Sequence, residues 1–188
     1  DAALELGLAA ITVHGRTVRQ RYMGASDWSF LARVKRHAGD RTILGSGDLY
    51  TAADIRRMLE QTGVDGVTVA RGCIGYPWIF REARAALAGA PLPDAPSVPE
   101  QGRVIRAHFD LAVAAYGPRI AVKLMRKFGI KYSEAHAHPR DVRAAFVHAM
   151  TPEQWLDVLA TWYDPGRDWP PGRRKTGPGE LVAAGAML

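Results

Sequence analysis

"RTILGSGDLYTAADIRRMLEQTG", residues 41–63, reads as one strand, one turn and one capped helix in direct succession. The apolar run ending at Leu44 is too short for a helix and stops at Gly45-Ser46-Gly47-Asp48, four small or turn-forming residues. Thr51 suits an N-cap, and Asp54, at the third position of the helix it opens, favours the same N-terminus. The same rhythm flanks this stretch. "AAITVH" (9–14) is a β-branched run, followed by a loop and a helix from about Asp27 to Gly39 that aligns Trp28, Leu31 and Val34. "DGVTVARG" (65–72) is a third strand, followed by a helix through "YPWIFREARAALAG" (76–89). Strands alternating with helices predict βα units on a parallel sheet, and their apolar character predicts cover on both faces.

The pattern then changes. "GAPLPDAPSVPE" (89–100) holds four prolines and no periodic apolar spacing, which makes it a stiff linker. Helices are expected beyond it: over 101–116, over 119–128, from Pro139, and from Pro152, where Thr151 and Gln154 supply a capping box. The stripe Trp155, Leu159, Trp162 reads as core. Residues 164–188, rich in Gly, Pro and Arg, are expected to be disordered. The domain organisation is therefore a βα segment over 1–88, a linker over 89–100, a helical domain over 101–163 and a tail.

Composition sets the outer limits. With 47% hydrophobic and 23% charged residues over 188 positions, the chain is globular and not disordered. No apolar run approaches the roughly 18 residues of a membrane helix. One cysteine, Cys73, excludes a disulfide framework and a cysteine-based zinc site, so a cytoplasmic setting without a metal is expected. The chain opens on "DAALELGLAA", a helix in progress, and so reads as a fragment beginning inside a fold. The formal net charge is +6, and residues 101–150 hold nine Lys/Arg against three Asp/Glu. That stretch carries the excess and suggests a localised polyanion contact.

Ligand sites of βα folds gather at strand C-termini, where loops feed helix N-termini. The three strands deliver His14-Gly15-Arg16-Thr17, Gly45-Ser46-Gly47-Asp48 and Ala70-Arg71-Gly72-Cys73. Small residues at the second and third ends let backbone N–H groups approach an anion, and Arg71 adds a forked cation. Taken singly, each feature also has an ordinary reading: turn glycines, a hydrogen-bonded histidine, a packing cysteine. Their succession at three consecutive strand ends favours a site.

"ITVHGRTVRQRYMGASDW", "ILGSGDLYTAAD" and "GVTVARGCIGYPWIF", in this order, resemble the C-terminal half of bacterial tRNA-dihydrouridine synthases. The likeness continues through "HFDLAVAAYG", "KLMRKFGIKY" and "TPEQW", over roughly residues 1–163. It implies the C-terminal part of an FMN-dependent (β/α)₈ TIM barrel followed by an all-α tRNA-binding domain. His14 would lie beside the flavin. Ser46, Gly47 and Asp48 match the family's Asn-Gly-Asp at the ribityl-phosphate end, with Ser in place of Asn. Ala70 and Arg71 match its Gly-Arg pair at the phosphate, with Ala in place of Gly. Arg16, Arg19 and Arg21 would face the substrate mouth.

The family reduces uridine in tRNA to dihydrouridine: reduced FMN gives a hydride to C6 and a cysteine acid protonates C5, with NADPH as the expected reductant. That cysteine, and a flavin-contacting lysine, belong to the first half of the barrel, so no catalytic residue is assigned here and the fragment is expected to be inactive alone. The complete protein is expected to be a monomer. On the helices, Lys123, Arg126 and Lys127 share a face by their i, i+3, i+4 spacing, and with Lys131 they suit an RNA backbone. The residues alone leave a solvated basic face equally open. Two rival functions remain at this stage: a flavin barrel acting on a small metabolite, and a non-catalytic RNA-binding module.

Overall fold

A computed structural model of the chain describes residues 2–21 and 23–177. The described residues divide into two compact units, one of residues 2–21, 23–73, 79–93 and 176–177, the other of 74–78 and 94–175.

The first unit runs α1 (Ala2–Glu5), β1 (Ile11–His14), α2 (Trp28–Ala38), β2 (Ile43–Ser46), α3 (Ala52–Thr62), β3 (Gly66–Thr68) and α4 (Ile79–Leu87). The strands form one parallel sheet in sequence order, β1-β2-β3. Ile11 pairs with Ile43 and His14 with Ser46, while Ser46 pairs on its other side with Thr68. The helix start expected from the Thr51 cap is present, and α2, expected from about Asp27, has a cap there as well. Asp27 accepts from Phe30 N, and Thr51 with Asp54 makes a reciprocal capping box.

The core lies on the helix side of the sheet. Leu31 of α2, Ile43 of β2, Ile55 and Met58 of α3 and Ile79 of α4 are all buried. Gly45 faces this core too: a Cβ there would press on Met58 Sδ and Val64. Apolar cover on both faces, expected from composition, is not what the unit has. Along β2 burial alternates, with Ile43 and Gly45 buried and Leu44 and Ser46 only partly so, and no residue of β1 is buried. The second face carries His14, Ser46 and Thr68 in a row, because register partners share a face. The third strand is also shorter than expected, ending at Thr68, with residues 70–75 turning instead of extending.

The second unit is α5 (Val98–Tyr116), α6 (Pro118–Tyr132), a 3₁₀ turn (Ser133–Ala135), α7 (Pro139–His148) and α8 (Pro152–Trp162). Its first helix starts inside the stretch read as linker: Ser97 accepts from Glu100 N, and Pro99 sits in the first turn, where its missing N–H costs nothing. The box at Thr151 and Gln154 starts α8 as expected. Phe109 stacks on Trp155 at 4.3 Å, beside Phe146, and Val122, Met125 and Val142 complete this core. Of the Trp155, Leu159, Trp162 stripe, Trp155 is fully buried and the other two half-buried.

The tail differs from the disorder expected of it as far as Lys175; residues 178–188 lie outside the described residues. It forms no helix or strand, yet Arg173 N–H donates to Ala135 O at 2.7 Å, and Trp169 Nε1 donates to Asp164 O at 2.8 Å. Trp169 packs its ring on His136 at 5.2 Å, and the Arg167 guanidinium lies 4.2 Å over the indole. Gly172 fits where it does because a Cβ would strike the Pro96 carbonyl. Composition registered the glycines and prolines, but not that these residues cap a buried histidine.

Candidate functional site

His14, Ser46, Gly47, Asp48, Ala70 and Arg71, taken from three successive strand ends, line a single pocket, with Leu49, Tyr50 and Thr68 as further walls. The register explains the first pairing: β1 and β2 end level, so His14 Nδ1 comes within 3.2 Å of Ser46 Oγ. Beyond the strand, Gly47 takes φ +127° and Asp48 φ +55°. Side chains rarely adopt the first of these, and a Cβ on Gly47 would also run into Ser26 Oγ. Trp28 Nε1 donates to Gly47 O at 3.1 Å and holds the turn from the α2 side.

Asp48 is the hub of the site. Its Oδ2 accepts from Arg16 Nη2 at 2.5 Å and from Ser26 N–H at 2.8 Å, and its Oδ1 accepts from Arg71 Nη2 at 3.1 Å. Partial burial disfavours the charged carboxyl. The hydrogen bond from Arg16, the bond from Ser26 N–H and the two guanidinium charges outweigh that, and hold its pKa below the usual carboxylate value. Asp48 is thus an anion across the neutral range. Arg71 lies 5.4 Å over the Tyr50 ring. Tyr50 is itself fixed by the α3 cap, since its N–H donates to Asp54 Oδ2 at 3.1 Å. Cys73 turns its thiol onto its own loop, with Sγ 3.1 Å from Ala70 O.

The polar loop after β1 divides in two. Arg16, expected at an RNA-facing mouth, points inward: its side chain is 4% exposed and also donates to Gly24 O at 2.7 Å. Its neighbours Arg19 and Arg21 are exposed, on a turn that Thr17 and Gln20 close through Thr17 N–H to Gln20 Oε1 at 2.8 Å. Buried guanidinium and exposed guanidinium look alike in sequence; only the partner 32 residues on separates them.

The α6 cations divide as well. Lys123 and Lys127 are exposed, with no ionic or hydrogen-bond partner among the described residues. Arg126 Nη1 lies 2.9 Å from Met150 Sδ, and Lys131 pairs with Glu134 at 3.0 Å. Three pocket walls and one support escaped the sequence reading: Leu49, Tyr50 and Thr68, and Ser26. Tyr50 had a signal, since it directly precedes the N-cap that places it.

A model of the family described as Dihydrouridine synthase (Dus) matches residues 1–163. The chain belongs to that family. Among relatives of this chain, one from Mycobacterium tuberculosis (strain CDC 1551 / Oshkosh), named probable tRNA-dihydrouridine synthase, is 43% identical over 153 residues, 81% of this chain and 39% of the relative. A protein of the same name from Mycobacterium leprae (strain TN) is 37% identical over 158 residues, 84% of this chain and 41% of its own. The tRNA-dihydrouridine synthase B of Xanthomonas campestris pv. campestris is 33% identical over 162 residues, 86% of this chain and 48% of its own. The chain spans two-fifths to half of these relatives' lengths. All nine pocket-lining residues lie inside the stretch the family model matches. Among the described residues no helix is long and apolar enough to cross a membrane, and no three His, Cys, Asp or Glu residues gather as a metal site would need.

Proposed function

We propose that this chain is the C-terminal part of a flavin-dependent tRNA-dihydrouridine synthase of the cytoplasm, contributing the last three βα units of a (β/α)₈ barrel and a tRNA-binding helical unit. The observation that carries this reading is the convergence of three strand ends on one pocket.

The residues present suit the phosphate-bearing end of FMN. Arg71 offers a fixed cation, Ser46 a hydroxyl, and Gly47 and Ala70 leave the backbone open to a close-lying ligand. The absence of a side chain at Gly47 is enforced twice, by its φ and by Ser26 behind it. When bound, FMN supplies the hydride for reducing the uracil C5–C6 bond, with NADPH as its proposed source. In this reading His14 and Ser46 orient the flavin from the strand ends, and Arg71 balances the phosphate charge. Cys73 is turned onto its own loop; the resemblance assigns the proton donor to C5 to a cysteine of the first half of the barrel, outside this chain. Arg19 and Arg21, with Lys123 and Lys127, meet RNA phosphates. The complete enzyme acts as a monomer.

The test uses the complete protein that contains this chain, unaltered and as Arg71→Met, scored for co-purified flavin and for dihydrouridine in tRNA from a strain lacking the enzyme. Bound FMN and restored dihydrouridine in the unaltered protein, both diminished in R71M, support the proposal. Tight RNA binding with no flavin would replace it with a non-catalytic RNA-binding module. Flavin with no effect on tRNA would replace it with a reductase of small metabolites.

A further inference from the structure

Asp48 poses an electrostatic problem for the pocket it lines. A carboxylate 3.1 Å from the guanidinium meant to attract an anion opposes that attraction. Arg16 answers it. Its side chain, 4% exposed, takes the other carboxylate oxygen at 2.5 Å. It is anchored there by two bonds to Gly24 O, at 2.7 and 3.3 Å. Arg16 does not line the pocket, whereas Asp48 and Arg71 do. The trio carries one net positive charge; without Arg16 it carries none.

We infer that Arg16 is a positioning residue that acts through Asp48 on Arg71, supplying the charge that keeps the pocket attractive to a phosphate monoester. The inference rests on the phosphate-binding reading of the pocket given above. Asp48 in turn serves less as a ligand contact than as a strut: it joins the loop of the first strand to the turn of the third, and fixes Arg71 over Tyr50. The arrangement holds a flexible cation in one place before the ligand arrives, which lowers the ordering cost of binding.

The experiment uses the complete protein stripped of flavin and titrated with FMN, riboflavin and inorganic phosphate, as unaltered protein, R16M, R16K and R16M/D48N. Removing one charge near a partly wet site should weaken FMN binding about tenfold in R16M. Riboflavin, which lacks the phosphate, should bind R16M and the unaltered protein alike. R16K, keeping the charge, should recover most of the loss. R16M/D48N should recover part of it, since deleting both charges returns the trio to one net positive while loosening the strut on Arg71, and a merely structural Arg16 would not be rescued by a second lesion. Equal FMN affinity in all four proteins, or equal losses for FMN and riboflavin, overturns the inference while leaving the flavin reading in place. Failure of the unaltered protein to take up FMN, with phosphate still bound in an Arg16-dependent way, overturns the flavin reading and leaves this one.

Discussion

His136 Nε2 lies 2.7 Å from the carbonyl oxygen of Trp162, and the ring has no exposed surface. Its other nitrogen, Nδ1, accepts the His138 backbone N–H at 2.9 Å. The two bonds specify the neutral tautomer with its proton on Nε2, and a second proton on Nδ1 would face another donor. Burial lowers the His136 pKa, with the charges of His138 and Arg167 adding to it, against the bond to Trp162 O. His108, whose Nδ1 meets Tyr132 Oη at 3.2 Å, is lowered by burial alone. A histidine held neutral in the fold stabilises above its unfolded pKa of about 6.5, and that stability is lost as pH falls below it. Thermal unfolding should therefore shift to lower temperature between about pH 7.5 and about pH 5.5, at no more than about 1.4 kcal/mol per pH unit for each histidine. His136→Asn should lower stability at neutral pH and flatten the slope. An unchanged slope in H136N would remove His136 as its source.

Gly47→Ala forces a Cβ toward Ser26 and strains a backbone at φ +127°. We expect a loss of about 1–3 kcal/mol in denaturant unfolding, with reduced retention of an anionic ligand. Combining it with Ser26→Gly removes the collision but not the strain, so only part of the loss should return. Full recovery would mean the φ at this turn adapts freely.

Lys123→Ala and Lys127→Ala should leave unfolding unchanged while weakening tRNA binding at every sequence. Each should reduce the dependence of log K on log salt by about one. Lys131→Ala should change the slope less, because its charge is shared with Glu134. A steep, unaltered salt slope in the K123A/K127A double variant would move the RNA contact elsewhere.

Trp169→Ala removes the ring that covers His136 and carries Arg167. The helical unit should lose about 1–2 kcal/mol, from packing and the cation–π contact together. Hydrogen exchange on the described helices would locate the effect at α5 and the 133–138 turn. Protection there equal to that of the unaltered protein would mean the tail merely rests on the surface.

Local chemistry was the legible part of this molecule. Thr51 with Asp54, and Thr151 with Gln154, are complete instructions for a helix start within four residues, and both helices begin where those residues sit. The three strand ends could be aligned from sequence because parallel βα units place successive C-termini on one edge. What escaped was set by distant partners. Whether Arg16 faces solvent or Asp48, and whether the tail is ordered, depends on residues some 30 positions away or more: Arg16 and Asp48 are 32 apart, and Arg173 reaches Ala135. The start of α5 was displaced for a smaller reason: Pro99 looked like a linker residue, although a proline in a first helical turn is at home.

The sheet grows in sequence order, and that bears on how the site is made. On a ribosome that releases the chain N-terminus first, β1 and β2 emerge while β3 is still inside the exit tunnel. Asp48 and Arg16 thus come within reach of each other while Arg71 is still inside the tunnel. Each later unit docks on a neighbour already in place, so vectorial synthesis delivers the three corners of the pocket one after another, with Arg71 as the closing piece.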